Sequence, residues 1–309
     1  MIVTLTTNPA LDRIISVDRL AFEDRAYINS SRESAGGRGI NSSCVIHSYG
    51  GKTVAVFISG GESGKRLEAY LNRLGLPIAA VPVANAIRTN LTITDKHGLT
   101  VNLNETGPRL SAEELARVVR KVKEMFDDAS WLMLCGSLPP GAPPEFYGKL
   151  AAMARQRKVK TLLRATGDSL REALESQPAV AVVNQAEAES LLGKTLLTRT
   201  HFLAAAERIR NMGPEGVILS LGSRGAVGAY PDGLLEALPP RVDAVCPIGA
   251  GDALTAAYVW AIRGKANHAD ALRWGVAAGT AAAKLPGMSF ATLEQTEDVY
   301  RQVELRRAE

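Results

Sequence analysis

The chain has 309 residues, 46% hydrophobic and 22% charged, which excludes a disordered or fibrous protein and suffices for one large α/β domain or two smaller ones. Its 36 basic and 32 acidic residues, net +4, are interspersed with no basic block that would track a nucleic-acid backbone; the mild positive balance suits a phosphorylated small molecule. Cys44, Cys135 and Cys246 are too scattered for a disulfide framework or zinc site, the MIVTLTTNP opening lacks a signal-peptide pattern, and no apolar run approaches a membrane span, so a cytoplasmic protein is expected.

Ile2 to Leu5 reads as a short buried strand that leaves the sheet at Asn8-Pro9, with Asp12 just beyond its end. From Ile14 to Ser34 the apolar residues are sparse and partly alternating, as in exposed strands. Ser34 to Asn41, SAGGRGIN, is a glycine turn opening a helix to about Tyr49. Lys52 to Ile58 is a strand, and Glu62 to Leu74 a helix with Leu67, Leu71 and Leu74 on one face. Arg88 to Asn104 alternates strictly about a Lys-His-Gly turn and predicts a hairpin, which would join the 12–33 strands as a small separate sheet. Ser111 and Glu114 form a capping box for a helix to about Phe126, and Trp131 to Cys135 is a strand ending in GSLPPG. Helices over 143–157 and 199–212 alternate with strands over 159–163, 179–183 and 216–220. Such alternation predicts a doubly wound parallel sheet, whose ligands bind beyond the carboxyl ends of the strands, where the glycine turns fall.

The last of those turns, Pro247 to Leu254, precedes an apolar helix through Ile262. Gly249, Ala250 and Gly251 put small residues where helix N–H groups and the positive end of the macrodipole face outward, a site for an anion. Asp252 follows in the first turn. It could take a proton from a hydroxyl attacking a phosphate held there, or could simply cap the helix. In AGGRG the glycines would let a hydroxylated ligand approach the backbone, with Arg38 and Asn41 at its edge; a tight turn with a solvated arginine is the plainer reading. Asp12 suits a sugar diol but also a turn, and Arg88 is a phosphate clamp or a surface arginine. Asn184 and Glu187, in NQAE after an apolar strand, could hold a hydrated magnesium ion through water while Asn184 caps the next helix. SLGSRG, Ser220 to Gly225, has glycines over which a nucleotide could lie, or turns a hairpin into GAVGAY. SGGESGK at Ser59 to Lys65 fails the nucleotide P-loop pattern in spacing and in its Arg66, and no dinucleotide fingerprint is present. The four histidines share no spacing, and Ser137 has no histidine nearby to activate it as a nucleophile.

In this order, TTNPALD (Thr6 to Asp12), AGGRGIN, RTNLTI, CGSLPPG, NQAE, SLGSRG and GAGDA resemble the ribokinase-like sugar kinases, the PfkB family, over essentially the whole chain. The opening motif, the Arg88 hairpin and GSLPPG are most similar to its sugar-phosphate branch, which holds 1-phosphofructokinase, tagatose-6-phosphate kinase and the minor 6-phosphofructokinase. The resemblance implies a three-layer α/β/α sandwich (1–11, 34–86 and 106–309) with a small β-sheet lid (12–33 and 87–105), ATP as co-substrate with Mg2+, and a homodimer through the lids. By motif match Asp252 is the base and Gly249, Ala250 and Gly251 the anion hole. Asp12, Gly36, Gly37, Arg38, Asn41, Arg88 and Ser137 hold the sugar phosphate. Asn184, Ser220, Gly222, Ser223 and Gly225 hold the nucleotide, with Glu187 and Asn184 on the metal.

Several positions depart from the pattern. Arg38 stands for the usual lysine, and Val182 removes a cation expected near the nucleotide phosphates. Arg164 stands where the strand usually ends in an Asp, and could supply the missing cation from a neighbouring strand. Ala253-Leu254 replace a common Ser-Phe pair, and Cys246-Pro247 alter a region that binds a monovalent cation in some relatives, so potassium activation is not expected. The expected reaction is ATP-dependent phosphorylation of fructose 1-phosphate, tagatose 6-phosphate or fructose 6-phosphate. The alternatives are a kinase of an unphosphorylated sugar or nucleoside on the same fold, and a non-catalytic homologue that binds a sugar phosphate or nucleotide.

Overall fold

The computed structural model describes residues 1–21, 24–287 and 289–308, so Phe22 and Glu23 of the 12–33 stretch lie outside the described residues. The N-terminal third runs β1 (Ile2–Thr6), β2 (Ala10–Val17), β3 (Ile28–Gly36), α1 (Arg38–Ser48), β4 (Thr53–Ser59), α2 (Gly61–Arg73), β5 (Ile78–Pro82), β6 (Arg88–Asp95) and β7 (Thr100–Asn104). The middle runs α3 (Ala112–Glu124), β8 (Trp131–Cys135), α4 (Phe146–Gln156), β9 (Lys160–Arg164), α5 (Gly167–Leu174), β10 (Val180–Asn184), α6 (Gln185–Leu192), α7 (Arg199–Arg210) and β11 (Gly216–Ser220). After a single 3₁₀ turn at Gly222–Arg224 come β12 (Ala226–Tyr230), β13 (Gly233–Leu238), α8 (Ala250–Arg263), α9 (His268–Ala283), α10 (Leu293–Tyr300) and β14 (Glu304–Ala308).

Ten strands form the main sheet in the order β14-β13-β12-β11-β10-β9-β8-β1-β4-β5. From β11 to β5 all pairs are parallel, as the apolar, β-branched runs predict. The last three strands are antiparallel, unlike the purely parallel sheet expected: the short SLGSRG turn cannot carry a crossover, so the chain folds straight back. Side-chain alternation divides the core in two. Val3, Leu5, Leu132 and Leu134 face α2 to α7, whereas Ile2, Trp131, Met133 and Cys135 face α1, α8, α9 and α10. The result is a three-layer α/β/α sandwich. Its carboxyl edge is level, since Thr6, Cys135 and Arg164 are register partners and so are Asn184 and Ser220.

The other four strands form a separate small sheet, β3-β2-β6-β7. Asp12 is inside β2 of this sheet and not in a turn after β1. It lies level with Ser34 on one side and Asn90 on the other, and Asn90 is level with Asn104. The opposite face buries Leu11 and Ile15, and Glu33 of that face pairs with Arg66 of α2. Leu74 lies past the end of α2 and is 48% exposed, so only Leu67 and Leu71 form its buried stripe.

No clear helical period marks α9, because its alanines and glycines are buried along most of its length and no polar face sets it off. That composition allows α9 to lie against the first turns of α8. A Cβ at Gly275 would sit 2.9 Å from the Leu254 carbonyl oxygen, and one at Gly279 2.9 Å from that of Ala250. Gly279→Ala should therefore push the helices apart and cost about 1–3 kcal/mol, the usual penalty of overpacking, read as a lower midpoint in denaturant or thermal melts. An unchanged melt would show that the contact relaxes freely.

Candidate active site

The site is built on α8. Gly249, at φ +82°, turns the chain into the helix, a conformation that glycine adopts without a Cβ clash. Within this turn the Ala250 N–H donates to the Pro247 carbonyl at 3.2 Å and the Asp252 N–H to that of Gly249 at 2.9 Å. Asp252 itself is only 6% exposed, and both of its oxygens are held. Oδ2 accepts from Asn41 Nδ2 at 2.8 Å, and Oδ1 lies 3.3 Å from Arg164 Nη2. Asn41 belongs to α1 behind the AGGRG turn, and Arg164 ends β9. The carboxylate therefore stands where the two halves of the site meet.

In the small sheet, Asp12 Oδ1 accepts from Asn90 Nδ2 at 2.7 Å. Gly36 has no side chain because a Cβ there would lie 2.3 Å from the Asp12 carboxylate. Burial raises the Asp12 carboxyl above its ordinary value, against the Asn90 hydrogen bond and the Arg88 charge, while the same burial lowers the Arg88 guanidinium. Around Asp12, Ser34 Oγ, Asn90 Oδ1 and Arg88 Nε are buried without a hydrogen-bond partner among the described residues, as is Asn8 Oδ1 of the TTNP turn. Such groups are costly unless a ligand completes them. Asn8 Nδ2 reaches Ser137 Oγ at 3.3 Å and the Thr106 carbonyl at 3.0 Å, which ties GSLPPG to the same edge.

On the other side, Arg164, Asn184, Ser220, Gly222, Ser223, Gly225, Ala250 and Gly251 all line one cavity of about 1090 Å³. Gly225, at φ +88°, could carry no side chain, since a Cβ would meet the Ala237 carbonyl at 2.0 Å. Asn184 caps α6 as expected: its Oδ1 accepts from the Glu187 N–H at 2.8 Å, and Glu187 Oε2 accepts from the Asn184 N–H at 2.9 Å. Glu187 Oε1 is taken by Arg38 Nη1 at 3.0 Å, so the residue expected on the sugar phosphate and the one expected on the metal pair with each other. Among the described residues there is no group of three or more His, Cys, Asp or Glu that could hold a metal ion. Sequence reasoning missed Pro239 to Ala244 and, on α9, Val276, Thr280 and Ala283, which close the cavity. Only the Pro-Pro pair carried a local signal. Asn90 was missed as well, although it follows Arg88 in the hairpin on the same face.

Residues 5–295 match the model of the pfkB family carbohydrate kinases. The chain belongs to that family. This kinase is 30% identical to the ATP-dependent 6-phosphofructokinase isozyme 2 of Mycobacterium tuberculosis over 96% of its own length and 88% of the relative's. It is 25% identical to the 1-phosphofructokinase of Vibrio cholerae serotype O1, over 98% of its length and 96% of that protein. The crystal structure of phosphofructokinase-2 from Escherichia coli in complex with potassium superposes with a TM-score of 0.92 at 28% identity, covering 97% of this chain and 98% of that one; a tetrameric inhibited form of the same enzyme has also been solved.

Because burial raises the Asp12 carboxyl, its charge costs stability at neutral pH, and the loss is recovered as pH falls through the raised value. Asp12→Asn should melt higher than the parent at pH 7 to 8, with the gap closing toward pH 4, and should raise the KM of the sugar substrate roughly tenfold or more. Thermal melts across pH with saturation curves check both; a variant that melts lower at pH 8 would contradict the burial argument.

Proposed function

We propose that this protein transfers the γ-phosphoryl group of ATP to a hydroxyl of a ketohexose monophosphate, giving the bisphosphate. The observation that carries the reading is the position of Asp252, held from the sugar side by Asn41 and from the nucleotide cavity by Arg164. A hydroxyl in the Asp12 pocket would lie between this base and a phosphate at the start of α8. Phosphoryl transfer demands mainly alignment and charge stabilisation, so a carboxylate that takes the proton late suffices, while the helix start draws charge from the transferring group. Asp12, Asn41 and the glycine edge at Gly36 and Gly37 would orient the sugar hydroxyls. Arg88 and Arg38 would meet its phosphate, Arg38 leaving Glu187 as it does so. Ser137 would sit at the rim of this pocket beside Asn8.

ATP would occupy the large cavity, its base over Gly222 to Gly225 and its phosphates toward Gly249 to Gly251. An all-protein metal cage is not what the donor set fits. Asn184 and Glu187 offer oxygens already shared with the helix cap, which suits a hydrated Mg2+ delivered by the nucleotide and held through water. When bound, the ion would neutralise charge on the β- and γ-phosphates. The small sheet, residues 12–33 and 87–105, would act as a lid that excludes water from the transfer. Its exposed Tyr27, Ile28, Leu99 and Leu103 support a homodimer through that sheet. A cytoplasmic setting agrees with three free cysteines and with the lack, among the described residues, of any helix long and apolar enough to cross a membrane.

The test is a coupled ADP-release assay with magnesium-ATP against fructose 1-phosphate, fructose 6-phosphate and tagatose 6-phosphate, with fructose, ribose and adenosine beside them. Turnover is expected on a sugar phosphate, and Asp252→Asn should lower kcat by roughly 10³-fold or more with KM little changed. Preference for an unphosphorylated acceptor would assign Arg88 and Arg38 another role. Undiminished turnover in Asp252→Asn would remove the base.

A further inference from the structure

Arg164 ends a central strand, and its side chain is 14% exposed on the floor of the nucleotide cavity. Its neighbour in the sheet is β10, which carries Val182, so it is placed where a cation from an adjacent strand was expected to serve the nucleotide. Its hydrogen bonds lead elsewhere. Nη1 donates to the Gly251 carbonyl and, at 2.6 Å, to Thr255 Oγ1, while Nη2 faces Asp252 Oδ1. Thr255 Oγ1 donates in turn to the Gly251 carbonyl at 2.8 Å. A Cβ on Gly251 would lie 2.5 Å from Arg164 Nη2 and 3.2 Å from its Cζ, so the second glycine of GAGD makes room for the guanidinium.

We infer that Arg164 is a positioning residue for Asp252: its planar fork clamps the first turn of α8 and, opposite Asn41, fixes the plane of the carboxylate that accepts the substrate proton. The inference rests on the kinase reading above. A carboxylate has about four lone-pair positions. Asn41 Nδ2 occupies one on Oδ2 and the Arg164 guanidinium lies against Oδ1 as an ion pair, which restrains rotation of the group yet leaves lone pairs free for the incoming proton. The guanidinium presents its donors to a carbonyl, a hydroxyl and a carboxylate in fixed directions from two nitrogens, whereas an ammonium would have to reach all three from one. Arg164 thus acts through the base and is not itself a ligand of the nucleotide phosphates.

A double-mutant cycle separates these roles. Arg164→Met should lower kcat about 100-fold with both KM values within about threefold, yet lower it less than about threefold further in the Asp252→Asn background. Tens of millimolar guanidinium should restore part of the kcat of Arg164→Ala, which a purely structural loss would not permit. Arg164→Lys, checked for folding by circular dichroism and gel filtration, should fold like the parent and still lose about tenfold in kcat; it serves if the other variants do not fold. Equal losses in both backgrounds, a rise in the KM for ATP at constant kcat, or parent-like turnover in Arg164→Lys would each overturn the inference while leaving the kinase reading standing. A parent protein inactive on the whole panel would overturn both.

Discussion

The charge of Asp252 is the constraint on which the rest of the site depends. A carboxylate this buried is tolerable only if its oxygens are paired, and losing one partner of a buried ion pair costs about 3–5 kcal/mol. Both of its partners come from far away in the sequence, Asn41 from the N-terminal helix and Arg164 from mid-chain, and Ser42 Oγ adds a hydrogen bond to the Asp252 carbonyl at 3.3 Å. Packing of α1 and α8 on one face of the sheet brings the pair together. The site is therefore assembled by the core and not by any one loop.

That arrangement also explains where the small residues fall. Gly36 yields to the Asp12 carboxylate, Gly251 to the Arg164 guanidinium, and Gly275 and Gly279 to the carbonyls of α8. In each case a missing Cβ lets a polar group or backbone come within hydrogen-bonding or packing distance of the centre. The glycine motifs of this chain thus serve the protein's own side chains as much as any ligand.

Two ion pairs connect the halves of the site. Arg164 joins the large cavity to Asp252, and Arg38 joins the glycine turn to Glu187 of α6. The first lies within a rigid frame, since β9 is flanked by strands on both sides. The second is looser, with Arg38 29% exposed.

The sequence alone determined the sandwich, its strands at 2–5, 52–58, 131–135, 159–163, 179–183 and 216–220 but not β5, the caps at Ser111 and Asn184 and the glycine turns at the carboxyl edge, because those features follow from local periodicity and from hydrogen bonds within four residues. It also marked Asp252, Asp12 and the Asn184-Glu187 motif, whose residue types already suit their surroundings. It could not show that Asp12 lies level with Ser34 and Asn90, which are 22 and 78 positions further along the chain. Nor could it show α9, whose buried alanines have no polar side to give a period, or the final antiparallel strands. The partners of Arg38 and Arg164 were beyond it for the same reason. A guanidinium can pair with any acid within reach, and only the packing of sheet and helices decided that Glu187 and Asp252 would be the ones.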